Sequence, residues 1–179
     1  MTYKMKKILS LLSIFIFLHS CESIRVTSDF DENYIFDELK TYAYSKKGID
    51  QVEINDLDKK RILKAIDVEM YNKGFRKSSI NPDFIINFFT KTNQKIDFYP
   101  SMNYRGPYIG GYYMNPYINN SFVYNEGVLF IDIIDKKNNQ LAWQGIGKGY
   151  ISTSDPKKKN EKIKKIVNKI LLQFPPAKD

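Results

Sequence analysis

Gly127-Val128-Leu129-Phe130-Ile131-Asp132-Ile133-Ile134, then Asp135-Lys136-Lys137-Asn138-Asn139, then Leu141-Ala142-Trp143-Gln144-Gly145-Ile146-Gly147-Lys148-Gly149-Tyr150-Ile151, reads as strand, turn and returning strand. Val128 to Ile134 is rich in β-branched and aromatic residues, and 135 to 139 carries the Asp and Asn that tolerate tight turns. Gly145, Gly147 and Gly149 recur at every second position of the return strand, so one of its faces has no side chains. A helix, a loop or a ligand can approach that bare face closely. The glycines do not form a phosphate loop, because no helix opens directly after them. Trp143 suits a core anchor. Asp132, in mid-strand, has two readings: a catalytic acid with Glu126 or Asp135 as its partner, or a structural residue, paired with Lys148 across the hairpin or simply exposed on a wet face.

Outward from the hairpin the pattern changes to helical. Asp155-Pro156 is an N-cap followed by proline at the first helical position, Ile163, Ile166, Val167, Ile170 and Leu171 form one stripe, and Pro175-Pro176 forbids continuation past Phe174. Lysines crowd the other side of this helix. Lys158, Lys162 and Lys165 are the residues by which it would touch anionic head groups, the alternative being a plain solvated face. Towards the N-terminus, Phe84-Ile85-Ile86-Asn87-Phe88-Phe89 is too apolar for a strand with a wet face and belongs at the centre of a sheet. Asn55-Asp56 caps a second helix running to about Lys73, with Ile62, Leu63, Ile66 and Met70 on its apolar side and Gly74 as the left-handed residue beyond its end. Leu39 to Tyr44 and Ile24 to Thr27 read as further strands. Asp29 and Asp31 flank Phe30 as a solvated turn or a calcium ligand pair, with no further ligand spacing in support of the latter.

The expected fold is therefore α+β: a two-layer sandwich, a mainly antiparallel sheet with two amphipathic helices on one face. Residues 99–126 interrupt it with Tyr, Gly, Pro and Asn. This segment is read as a long loop: either a binding surface built on Tyr104, Tyr108, Tyr112, Tyr113 and Tyr117, with Trp143 beside them, or a cover laid over the sheet.

The first 20 residues set the expected location. Lys4, Lys6 and Lys7 precede an apolar run, Ile8 to Leu18, whose 11 residues would rise only about 16 Å as a helix, roughly half of a hydrocarbon core. Leu18-His19-Ser20-Cys21 then resembles a bacterial lipobox, although His19 is bulkier than usual there. On this reading 1–20 is a lipoprotein signal peptide, Cys21 is acylated, 21–23 is a short tether and 24–179 is one domain; the alternative is an ordinary signal followed by a free thiol. No acidic run follows Cys21, which favours the periplasmic face of the outer membrane.

Composition narrows the chemistry. Cys21 is the only cysteine and His19 the only histidine, so the chain after the leader has neither an internal disulfide nor an imidazole. That excludes Ser-His-Asp and Cys-His catalysis and removes the common soft and nitrogen ligands of zinc; no cofactor or metal is expected. The net charge is +8 for the whole chain, of which three lysines lie in the leader, leaving +5, and only four of the 28 basic residues are arginine. This balance and the export signal speak against a nucleic-acid partner.

The ordered set Val26-Thr27-Ser28-Asp29-Phe30-Asp31, Leu39-Lys40-Thr41-Tyr42-Ala43-Tyr44, Lys73-Gly74-Phe75, Pro82-Asp83-Phe84, Glu126 to Asp132, Leu141-Ala142-Trp143-Gln144-Gly145 and Lys169 to Pro176 resembles bacterial lipoproteins of domain-of-unknown-function family 4136. The resemblance implies a lipoprotein leader and an α+β domain, and it brings no catalytic residue. The expected function is a membrane-anchored, non-enzymatic envelope lipoprotein that binds or organises another envelope protein, a glycan or anionic lipid. The alternative is a carboxylate-dependent hydrolase of envelope glycans, which needs two acids about 5–9.5 Å apart.

Overall fold

The structure, a computed structural model, describes residues 24–100, 119–149 and 154–177, with 93–100 and 119–125 as backbone only. Six strands form one sheet: β1 (Arg25–Phe30), β2 (Thr41–Tyr44), β3 (Arg76–Lys77), β4 (Phe84–Pro100), β5 (Asn119–Asp135) and β6 (Leu141–Gly149), in the order β1-β6-β5-β4-β2-β3. Pairing is antiparallel through β1, β6, β5 and β4, and parallel where β2 joins β4 and β3. Three helices accompany the sheet: α1 (Lys46–Asp50), α2 (Asp56–Asn72) and α3 (Pro156–Leu171). The α+β two-layer reading holds. The short α1, capped by Ser45, was not legible in a five-residue stretch containing glycine.

Both long helices have the expected ends. The Asn55 side chain accepts from Asp58 N, and the Asp155 side chain accepts from Lys157 N and Lys158 N. Gly74, at φ 92°, closes α2: its N–H reaches Tyr71 O and the N–H of Phe75 reaches Met70 O, both at 3.0 Å.

The core lies between the sheet and the helices. Phe84, Ile86, Phe88, Leu129, Ile131, Ile133 and Trp143 meet Ile62, Ile66 and Met70 of α2 and Ile163, Ile166, Val167 and Ile170 of α3. The glycine stripe of β6 is what lets α3 come so near. A Cβ on Gly147 would sit 2.7 Å from both Ile166 Cγ1 and Ile170 Cδ1, far inside contact distance, so the bare face is occupied by the helix.

The loop expected over 99–126 is shorter than that. β4 continues to Pro100 and β5 starts at Asn119, in register from Phe84↔Asp135 to Pro100↔Asn119. The two strands thus absorb both ends of the tyrosine segment, because alternating polar and apolar residues suit a two-stranded ribbon. β6 pairs with β5 only as far as Gly149↔Gly127, and β2 with β4 only over Phe84 to Ile86. From Asn93 and Glu126 onward, β4 and β5 have only each other among the described residues, a ribbon of eight paired positions and about 27 Å. Residues 101–118, and with them Tyr104, Tyr108, Tyr112, Tyr113 and Tyr117, lie outside the described residues, as do the leader and Cys21.

Candidate functional site

The sheet face turned away from the helices carries the most distinctive polar arrangement. Register aligns Asn87, Asp132, Gln144 and Asp29 across β4, β5, β6 and β1. Gln144 Nε2 donates to Asp132 Oδ1 at 2.8 Å, so the partner of Asp132 is Gln144 and not the expected Lys148. The shift is one of register: Lys148 stands opposite Val128. Asp132 is only 8 % exposed; burial pushes its carboxyl above the usual carboxylate range and the Gln144 hydrogen bond offsets only part of that. Beside this polar line, Phe89 and Phe130 stack at 4.3 Å between centroids with Ile146 next to them, and Ile85 and Ile134 border its other side.

The carboxylates proposed as a catalytic pair do not converge. Glu126 and Asp132 are six residues apart on one strand, about 20 Å, and Asp135 points to the opposite face from Asp132, since its partner Phe84 belongs to the core. Each acid has a structural task. Glu126 faces Arg25 Nη2 at 3.6 Å. Asp135 accepts from Lys137 N at 2.8 Å and Asn138 Nδ2 at 3.1 Å, which fixes the hairpin turn, and Asn139 next in line takes a left-handed φ of 54°. Asp29 and Asp31 accept from the backbone N–H of Phe30 and Asn33. Among the described residues no group of three or more His, Cys, Asp or Glu is placed to hold a metal ion.

Trp143 does not belong to a binding surface. It is fully buried, 5.2 Å from the ring of Phe174, and its indole N–H has no acceptor among the described residues. Its position facing the glycine stripe puts it under α3. Lys158 is exposed, whereas Lys162 and Lys165 both engage other groups and are not a free cationic face.

Three polar joints were not foreseen. At the first, Asp58 in the opening turn of α2 binds Arg61, Lys159 of α3 and Asn55 Nδ2, the last at 2.7 Å. Burial pushes the Asp58 carboxyl up, but the hydrogen bonds from Lys159, Asn55 and Arg61 outweigh it and hold the group below the ordinary range. At the second, Tyr42 and Tyr44 both donate to Asp67 Oδ1 at 2.8 Å, docking α2 on β2. Burial, then Asp67, raises both phenols well above their usual value. At the third, Asp83 Oδ2 accepts from Lys40 N, Thr41 N and Thr41 Oγ1 at 3.0, 2.8 and 2.9 Å, clipping the start of β2 to β4. The sequence signal was present at Asn55-x-x-Asp58, a capping box, and in the i, i+2 spacing of the two tyrosines; their partners on other elements were not.

The profile of DUF4136, a domain of unknown function, covers residues 26–176, from β1 through the segment after α3. The chain belongs to the DUF4136 family. A solved DUF4136 structure from Bacteroides thetaiotaomicron is similar at 18 % identity and TM-score 0.51, over 85 % of this chain and 96 % of that one. A PDZ domain protein from Parabacteroides distasonis is similar at 16 % identity and TM-score 0.53 over 88 % of this chain, which spans only 37 % of that protein's chain. At such identities the likeness is one of fold. No curated protein matches the sequence. The DUF4136 match takes in all six strands, so the β4–β5 ribbon and its 101–118 segment are enclosed by the domain and not appended to it.

Proposed function

We propose that this DUF4136 chain is a lipoprotein of the bacterial envelope, anchored through acylated Cys21 on the periplasmic face of the outer membrane, and that its domain is a non-catalytic module that binds another envelope protein. The observation that carries the binding role is the one-sided sheet. The two long helices pack on one face, and the opposite face presents Ile85, Phe89, Phe130, Ile134 and Ile146, all half-buried, around the Asn87-Asp132-Gln144 line. A contiguous set of part-exposed apolar side chains on a sheet face that neither long helix covers fits a protein-interaction surface. The ribbon adds a second element, two strands that continue past the last pairing with β6. Anchoring is supported by the lipobox-like Leu18-His19-Ser20-Cys21, and among the described residues no helix is long and apolar enough to cross a membrane. The glycan-hydrolase alternative finds no support in a carboxylate separation of about 20 Å against the 5–9.5 Å it requires.

Photo-crosslinkers at Phe130 and Ile146, with one at Val68 on the exposed side of α2 as control, test the face in cells. A discrete protein adduct from the two sheet positions and none from Val68 is the expected result; equal labelling from all three sinks the reading. The anchor is tested by Cys21→Ala, which should move the protein from the membrane to the soluble fraction.

A further inference from the structure

The two long helices run parallel, and their first turns meet. Asp58 of α2 bonds Lys159 of α3, and beside that contact, on the solvent side, lies an open cleft of about 420 Å³ between the helices. It is lined by Lys60, Arg61 and Lys64 of α2 and by Lys157 and Asn160 of α3, with the exposed side chains of Leu57 and Pro156 between them. Four of its seven lining residues are cationic and none is acidic. Lys60, Lys64 and Lys157 take part in no ion pair among the described residues, and Arg61 spends one nitrogen on Asp58, leaving further N–H groups of its fork for a ligand. The capping side chains of Asn55 and Asp155 already occupy the backbone N–H groups at Asp58, Lys157 and Lys158, so the attraction comes from side-chain charge, to which the two positive dipole ends add.

The place of this cleft in the fold identifies its occupant. A groove lined by Asp58, Ile62, Ile163, Thr92 and Gly127 puts the opening turns of both helices over the point where the sheet gives way to the ribbon. Gly127 is opposite Gly149, and Ile24 packs against Gly149 at the start of β1. Cys21 is three residues before Ile24, at most about 11 Å of chain. The same end carries the cross-strand row Arg25, Lys148 and Lys91 on the other sheet face. The far end carries Asp31, Glu32, Asp37, Glu38, Asp83 and Asp135 beside Lys40, Lys136 and Lys137, and the cleft end has acids of its own in Asp58 and Glu126, so the choice of this end rests on the cleft and on the short chain distance to Cys21.

We propose that the cleft between the first turns of α2 and α3 seats the phosphate of an anionic lipid head group, so that the helix N-termini face the bilayer. The proposal rests on the lipid-anchor reading for its setting, yet the site needs no acyl chain to bind.

The test uses the chain from residue 21 with Cys21→Ala, so that no acyl group contributes. It is co-sedimented with phosphatidylcholine vesicles, with and without phosphatidylglycerol. Binding is expected only to the anionic vesicles. The Lys60→Gln/Lys64→Gln/Lys157→Gln variant should bind roughly 100-fold more weakly, about fivefold for each lysine near a charged surface. The matching Lys→Arg triple should bind as the parent does. Removing three lysines from the far end, Lys40→Gln/Lys136→Gln/Lys137→Gln, should change binding by no more than about twofold through net charge alone. Equal loss in both Gln triples, no preference for anionic vesicles, or binding abolished by millimolar inorganic phosphate at constant ionic strength, which would mark a site for the free ion, each overturns the proposal. Fractionation of the acylated wild type against Cys21→Ala in cells reads the anchor separately, so a failed cleft and a failed anchor give different results.

Discussion

At the end of the sheet where β4 meets the hairpin turn, Phe36, Phe75, Phe84 and Trp143 close around Phe174 with ring centroids 5.2–6.1 Å apart. At the ribbon end, the two helices are joined to each other by a carboxylate, Asp58, with two cations and an amide. The same pair of helices is thus tied together through aromatic packing at one end and through charge at the other. Aromatic packing is indifferent to pH and salt, whereas a paired carboxylate depends on both. The domain has a permanent end and a conditional end, and the conditional one carries the cationic cleft.

The sharpest way to break the comparison is to empty the permanent end. Phe174→Ala removes a fully buried ring contacted from four sides and should cost about 4 kcal/mol, read as a lowered urea midpoint with an unchanged slope. Asp58→Ala should cost about 3 kcal/mol, because Arg61 and Lys159 are left partly buried without their anion. The two variants should part on acidification. The folded-state pKa of Asp58 lies below its unfolded value, so its contribution is present at neutral pH and is lost as pH falls through that folded-state value. Phe174→Ala should retain this acid sensitivity and Asp58→Ala should lack it.

A third substitution probes the middle, where α3 crosses the bare strip of β6. Gly147→Ala places a methyl 2.7 Å from Ile166 and Ile170 side-chain atoms and should cost about 2 kcal/mol by overpacking. Gly74, whose added Cβ would meet nothing within 4 Å but whose φ is 92°, gives the contrasting case: Gly74→Ala should cost about 1 kcal/mol through the backbone alone. Thermal melts of the two separate crowding from backbone strain.

The permanent end was largely legible in the sequence. Helix caps and helix stripes are local or periodic signals that led to the correct elements and faces; the glycine stripe left helix, loop or ligand open as its cover, and Phe84 to Phe89, expected to have no wet face, leaves Ile85 and Phe89 part-exposed on the face away from the long helices. Asp83 directly precedes the apolar run of β4, yet its task of accepting three hydrogen bonds from residues 40 and 41 depends on a pairing of β2 with β4 that no local pattern encodes. The cationic cleft was missed for a similar reason. Lys158, Lys162 and Lys165 were chosen because they stand together on one helix, but the cleft takes Lys157 from α3 and Lys60, Arg61 and Lys64 from α2. A shared site between helices about 90 residues apart follows only from their parallel packing. Trp143 went the other way: two residues before Gly145 it stands in line with the glycine strip, and that alternation alone puts it on the core face under α3, away from any surface of tyrosines.

The smallest expected effect lies on the open sheet face, where Asp132 contradicts Asp58 in sign. Burial holds its carboxyl above the ordinary range, so the folded state prefers it protonated, and stability falls as pH rises from its unfolded value through its folded one. Asp132→Asn keeps an oxygen to accept from Gln144 Nε2 and gains an amide opposite Asn87, whose buried Oδ1 has no hydrogen-bond donor among the described residues. The variant should therefore equal or exceed the wild type in stability at pH 7, and the two urea curves should converge at acid pH, where the wild-type carboxyl is neutral as well. A variant less stable at pH 7 would mean that the ionised form is held by the fold, and the open face would then have to be read as built around a charge instead of around a buried polar line.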